Sequence, residues 1–129
     1  MYKPDIITSA TIGANTESIG DYAFYGCESL ASVEIPSTLT AVGSYVFGAC
    51  HELKELTMQD GVTGIGSGMF AGCDNLKNVV IPDSITYIDD QAFSGCAALT
   101  SIVMGGNIET IGESAFDLCL MKRELLKSN

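Results

Sequence analysis

Five cysteines are the residues best equipped for chemistry in this chain: Cys27, Cys50, Cys73, Cys96 and Cys119. Thiolates can ligate soft metals, pair as disulfides or act as nucleophiles. Their spacing argues against each use. Zinc sites are built from short Cys-x2-4-Cys pairs, and these cysteines are 23 residues apart at every step. Neighbouring rungs of a ladder would bring their Cα atoms within disulfide range. An odd number in one file nevertheless points to packing, with each thiol a small apolar group and a weak donor to carbonyls at a corner. His51 is the single histidine and is expected in an exposed column with Glu28, Asp74 and Ala97. No nucleophile in a suitable setting accompanies it. The carboxylate pairs Asp89–Asp90 and Glu52/Glu55 do not recur at the same columns in other coils, so they read as solvated surface. The expectation is no enzyme, with no catalytic residue, no metal and no cofactor.

The cysteines are one column of a repeat. Phe24, Phe47, Phe70, Phe93 and Phe116 precede them by three residues, with the same 23-residue step. Five further apolar columns run through Leu30, Val33, Ile35, Leu39 and Val42 and their equivalents. Of all seven columns, Thr16 is the one non-apolar member. A fixed period of this length means one supersecondary unit stacked on copies of itself. The Val33-x-Ile35 pattern has the two-residue period of a half-buried strand. Strands are therefore expected at 9–13, 32–36, 55–59, 78–82 and 101–105. Strands one coil apart pair in parallel, each adding a rung of about 4.8 Å. Gly20, Gly43, Gly66 and Gly112 suggest positive φ or a tight corner. Asp21, Ser44, Ser67 and Asp90 then look like N-caps of a short helical or 3-10 turn carrying each Phe. Gly26, Ala49, Gly72 and Gly95 mark the return toward the strand. The predicted fold is an α/β repeat solenoid of about five repeats, each with one short parallel strand and one helical turn.

The run Cys-x-x-Leu-x-x-Val-x-Ile resembles the leucine-rich repeat, and Ile-Gly-x-x-Ala-Phe-x-Gly-Cys, as in 19–27, resembles the BspA-like (Treponema-type) subfamily. The match covers roughly residues 7–119. The resemblance implies a right-handed solenoid with its strands on the concave side. It also implies protein binding, often at microbial cell surfaces and toward host matrix proteins, and it carries no catalytic residues.

The 129 residues make one expected domain. The net charge is −10, from 16 acids and 6 bases. Phosphate backbones are repelled by such a body, which excludes nucleic acid as a natural partner. No apolar run is long enough to span a membrane. The opening Met1-Tyr2-Lys3-Pro4-Asp5 lacks an apolar signal region. This leaves a segment of a longer secreted or cell-surface protein, favoured by a first coil that starts mid-unit, or a cytoplasmic protein.

Binding is expected on the outward strand positions: Ser32, Glu34, Glu55, Thr57, Asn78, Val80, Ser101 and Val103. The first four are polar or acidic, and the last four place Val80 beside Val103. Tyr22, Tyr25 and Tyr45 are expected together on the convex side. At the C-terminus, Leu118, Met121, Leu125 and Leu126 suggest an amphipathic capping helix over 118–127. The N-terminal end has no such device, which opens a homodimer through exposed first coils. The competing roles are a purely structural spacer and an intracellular interaction scaffold.

Overall fold

The computed structural model describes residues 9–119. Among these residues ten short strands alternate, two per coil, and all their pairings are parallel. The longer strands are β1 (Ser9–Thr11), β3 (Ser32–Ile35), β5 (Glu55–Met58), β7 (Asn78–Val80) and β9 (Ser101–Val103). They begin where the apolar alternation places them and end one to two residues early. After β3 the chain reaches Pro36, which has no N–H to extend a ladder. The two-residue strands are β2 (Ser18–Ile19), β4 (Ala41–Val42), β6 (Gly64–Ile65), β8 (Tyr87–Ile88) and β10 (Thr110–Ile111). Registers advance by one repeat, as in Val33 opposite Leu56 and Ile65 opposite Ile88. The result is a parallel-strand solenoid of about four turns, roughly 23 residues each.

The predicted helical turns are absent: no helix occurs among the described residues. Backbone geometry explains the correction. Tyr22, Tyr45, Gly68 and Gln91 adopt φ of 58°, 55°, 61° and 61°, and Gly26, Ala49, Gly72, Gly95 and Leu118 close the same segment at φ 57–78°. A left-handed residue at each end leaves no room for right-handed helix between them. The amides in this arc also point along the stack. Those of Tyr22, Phe24 and Gly26 donate to the carbonyls of Ser44, Val46 and Gly48 at 2.8–2.9 Å. Phe47 to Met69, Phe70 to Ala92 and Phe93 to Ala115 continue the file. The predicted caps bridge coils instead: Asp21 Oδ1 accepts from the Ser44 amide at 2.8 Å, and Asp90 Oδ1 from the Ser114 amide at 2.7 Å. Of the expected capping helix, Leu118 and Cys119 alone fall within the described residues.

The glycines at 43, 66 and 112 do not have positive φ. They allow close approach. A Cβ at Gly112 would lie 2.4 Å from Asp90 N and 2.5 Å from Asp90 Cα, whereas one at Gly20 would meet nothing within 4 Å. Gly112→Ala is therefore expected to lower stability by about 1–3 kcal/mol. Gly20→Ala should be neutral or slightly stabilising. Urea denaturation of the matched pair measures the difference.

The core is a set of files. The five Phe rings stack face to face, with centroids 5.3–5.7 Å apart and interplanar angles of 4–16°. Beside them all five cysteines are buried. The Sγ atoms of Cys50, Cys73, Cys96 and Cys119 lie 3.4, 3.3, 3.2 and 2.9 Å from the carbonyl oxygens of Phe24, Phe47, Phe70 and Phe93. Each thiol thus donates to a carbonyl one coil back. No polar or charged side chain is buried among the described residues.

Candidate binding surface

In a half-buried strand alternate side chains face outward. Glu34, Glu55, Thr57, Asn78, Val80, Ser101 and Val103 are exposed, and Ser32 is half-buried. The register places Ser32 opposite Glu55 and Glu34 opposite Thr57. It places Asn78 opposite Ser101 and Val80 opposite Val103. The two valines are 60% and 56% exposed, against 2% for Val79 between Asn78 and Val80.

The surface is divided. The long strands form two sheets, β1-β3-β5 and β7-β9, and β5 does not pair with β7. The short strands also divide, but one coil earlier, into β2-β4 and β6-β8-β10. The turn-arc hydrogen bonds cross both breaks, through Tyr45 to Ser67 at one and Phe70 to Ala92 at the other. The outward face is therefore a polar, acidic panel followed by a panel with an apolar centre.

A family model described as "BspA type Leucine rich repeat region" matches residues 1–122, in six copies. The chain belongs to the BspA-type leucine-rich repeat family. A leucine-rich cell surface protein from Faecalibacterium prausnitzii is 33% identical, with a TM-score of 0.86 over 93% of this chain. This chain spans 32% of that protein. A leucine-rich repeat protein from Bacteroides ovatus is 20% identical, with a TM-score of 0.65 over 88% of this chain and 41% of its own. The pneumococcal vaccine antigen PcpA is 22% identical, with a TM-score of 0.73 over 81% of this chain and 27% of its own. These last two likenesses are likenesses of fold. No curated protein sequence matches the chain.

On this BspA-type scaffold the break between β5 and β7 coincides with a cleft of about 280 Å³, lined by Lys54, Asn75, Lys77 and Asn78. Sequence reasoning missed the cleft. The available signal was a column in which Lys54 and Lys77 follow Ala31 and precede Thr100. Asn75 is held in place by donating from Nδ2 to the His51 carbonyl at 2.6 Å. His51 itself lies 3.2 Å from Asp74, its counterpart one coil on, and the two side chains are each 48% exposed. This pair belongs to the surface, with no thiol or hydroxyl in hydrogen-bond contact with the ring among the described residues. No group of three metal-ligating side chains occurs among them either.

Proposed function

We propose that this chain is a non-enzymatic protein-binding module of a bacterial cell-surface protein, and that it engages its partner through the outward face of the long strands. The observation that carries the reading is the in-register pair Val80 and Val103, exposed on a face whose neighbours are polar. An apolar centre with a polar rim is the usual anatomy of a protein interface. Family membership and the likeness to a cell surface protein support the placement outside the cell. The partner class in this reading is a host matrix protein, as the family resemblance implies.

The test is a binding panel of extracellular-matrix proteins against the parent chain and the double variant Val80→Asp, Val103→Asp. Both side chains are exposed, so the variant is expected to fold with its melting temperature little changed. Affinity for the partner is expected to fall by at least about tenfold, the scale of an interface hot spot. Unchanged affinity would move the interface off this face, and no binding of the parent chain to any panel member would favour a spacer role instead.

A further inference from the structure

The tyrosines of the first two coils form a rigid platform on the turn arc, away from the outward strand face. Tyr22 stacks on Tyr45 with ring centroids 5.5 Å apart and planes within 9°. Tyr25 meets Tyr22 edge-on at 5.3 Å. Tyr22 and Tyr25 are 55% and 44% exposed. Tyr45 is held from behind: its hydroxyl bonds the Gln91 side chain, and its ring lies where a Cβ on Gly68 would be, 2.4 Å from the nearest ring carbon.

The backbone beneath these rings is the informative part. Tyr22 and Tyr45 occupy the left-handed region at φ 58° and 55°. A bulky aromatic residue there is a genuine outlier. The same column holds Gly68 and Gln91 in the third and fourth coils, both at φ 61°, so the left-handed conformation belongs to the coil and the fold accepts glycine there. What sets the first two coils apart is that this position carries stacked aromatic rings, with the Tyr22 ring exposed. The electrostatic setting names the ligand. Residues 9–50 contain no Lys, Arg or His, and the carboxylates nearest the three tyrosines along the chain are Asp21 and Glu28, whereas Glu34 belongs to the strand face. Asp21, adjacent to Tyr22, is fixed by its bond to the Ser44 amide. Tyrosine faces attract guanidinium and ammonium groups, and an acidic surround strengthens that attraction.

We propose that Tyr22, Tyr25 and Tyr45 form a docking platform for an arginine- or lysine-rich segment of a partner protein, whose cations lie over the exposed ring faces. The site uses residues distinct from the Val80–Val103 face, and either surface can work without the other.

The test is titration of the 129-residue chain with an octa-arginine peptide at low and moderate salt. The parent is expected to bind, with affinity falling as salt rises. Tyr22→Gly, Tyr45→Gly, with Tyr25→Ala added, is expected to weaken binding at least tenfold at unchanged net charge. The two glycine substitutions relieve the left-handed tyrosines but remove the Tyr22–Tyr45 stack, so the variant is expected to keep a cooperative unfolding transition with the melting temperature modestly changed. Tyr22→Asn, Tyr45→Asn tolerates the same φ and should show the same loss. Val80→Ser, Val103→Ser should bind the peptide as the parent does, which separates this site from the strand face. Retained affinity in the tyrosine variants would overturn the proposal in favour of undirected charge attraction. Equal binding of an uncharged oligosaccharide or an octaglycine peptide would overturn it too. So would loss of the cooperative unfolding transition together with lost binding in both tyrosine variants, since that assigns the rings to folding.

Discussion

Phe70→Ala is expected to cost about 3–5 kcal/mol for the lost ring and the cavity it leaves. That is a large part of the roughly 5–15 kcal/mol that holds a domain of ordinary stability together. Phe70 is fully buried and is stacked on both sides, on Phe47 at 5.7 Å and on Phe93 at 5.5 Å. Each stacked pair adds about 0.5–1.5 kcal/mol beyond the area buried. The backbone at this position is equally committed. Its amide donates to the Ala92 carbonyl at 2.8 Å, and its carbonyl accepts from the Cys73 amide and the Cys96 thiol, both at 3.2 Å. A solenoid is stabilised by interfaces between neighbouring coils, so a void at the central coil weakens two interfaces together. Phe24 is half-buried and stacks on a single described ring, Phe47. Phe24→Ala is therefore expected to cost less than half as much. Urea denaturation of the two variants checks the ranking, and equal costs would contradict a continuous ring file.

The files were legible because a strict 23-residue period preserves them whatever the local conformation. The same argument supplied the outward positions of the long strands, including Val80 beside Val103. The local conformation of the turn arc was less legible. Asp21 and Ser44 have the side chains of N-caps, but here the Asp21 carboxylate reaches the next coil. What excludes the helix is positive φ at Tyr22, Tyr45 and Gln91, residue types that carry no composition signal for it. The short strands escaped for a different reason. Two residues are too few to show alternation, and β6 begins with Gly64, a poor strand former. Gly64 is there because the Tyr87 ring occupies the space a Cβ would need. The Lys54–Lys77 cleft escaped because it depends on the missing pairing between β5 and β7, and neither strand's sequence records that break.

Stability is expected to fall steeply above about pH 9, and the cysteine file is the cause. Burial pushes the Cys50 thiol up to about 12, with the charge of Cys27 adding to the rise. The Cys73 thiol is raised mainly by burial, and the Cys96 thiol mainly by its hydrogen bond with Cys119 and then by burial. In the unfolded chain these thiols return to about 8.5. The folded values are the higher ones, so the unfolded state loses its protons first. The contribution is complete below about pH 8.5 and is lost as pH rises toward the folded value, about 12 for Cys50. Each thiol can remove up to about 1.4 kcal/mol per pH unit, and three together about 4 kcal/mol per unit. Urea midpoints measured from pH 7 to 10.5 should be level at first and then drop. Cys73→Ala separates this effect from other alkaline titrations. It should be less stable at pH 7 because of its cavity, yet its decline above pH 9 should be shallower by about 1.4 kcal/mol per unit. Parallel declines in parent and variant would show that ionisation of the buried thiol is not what limits the fold.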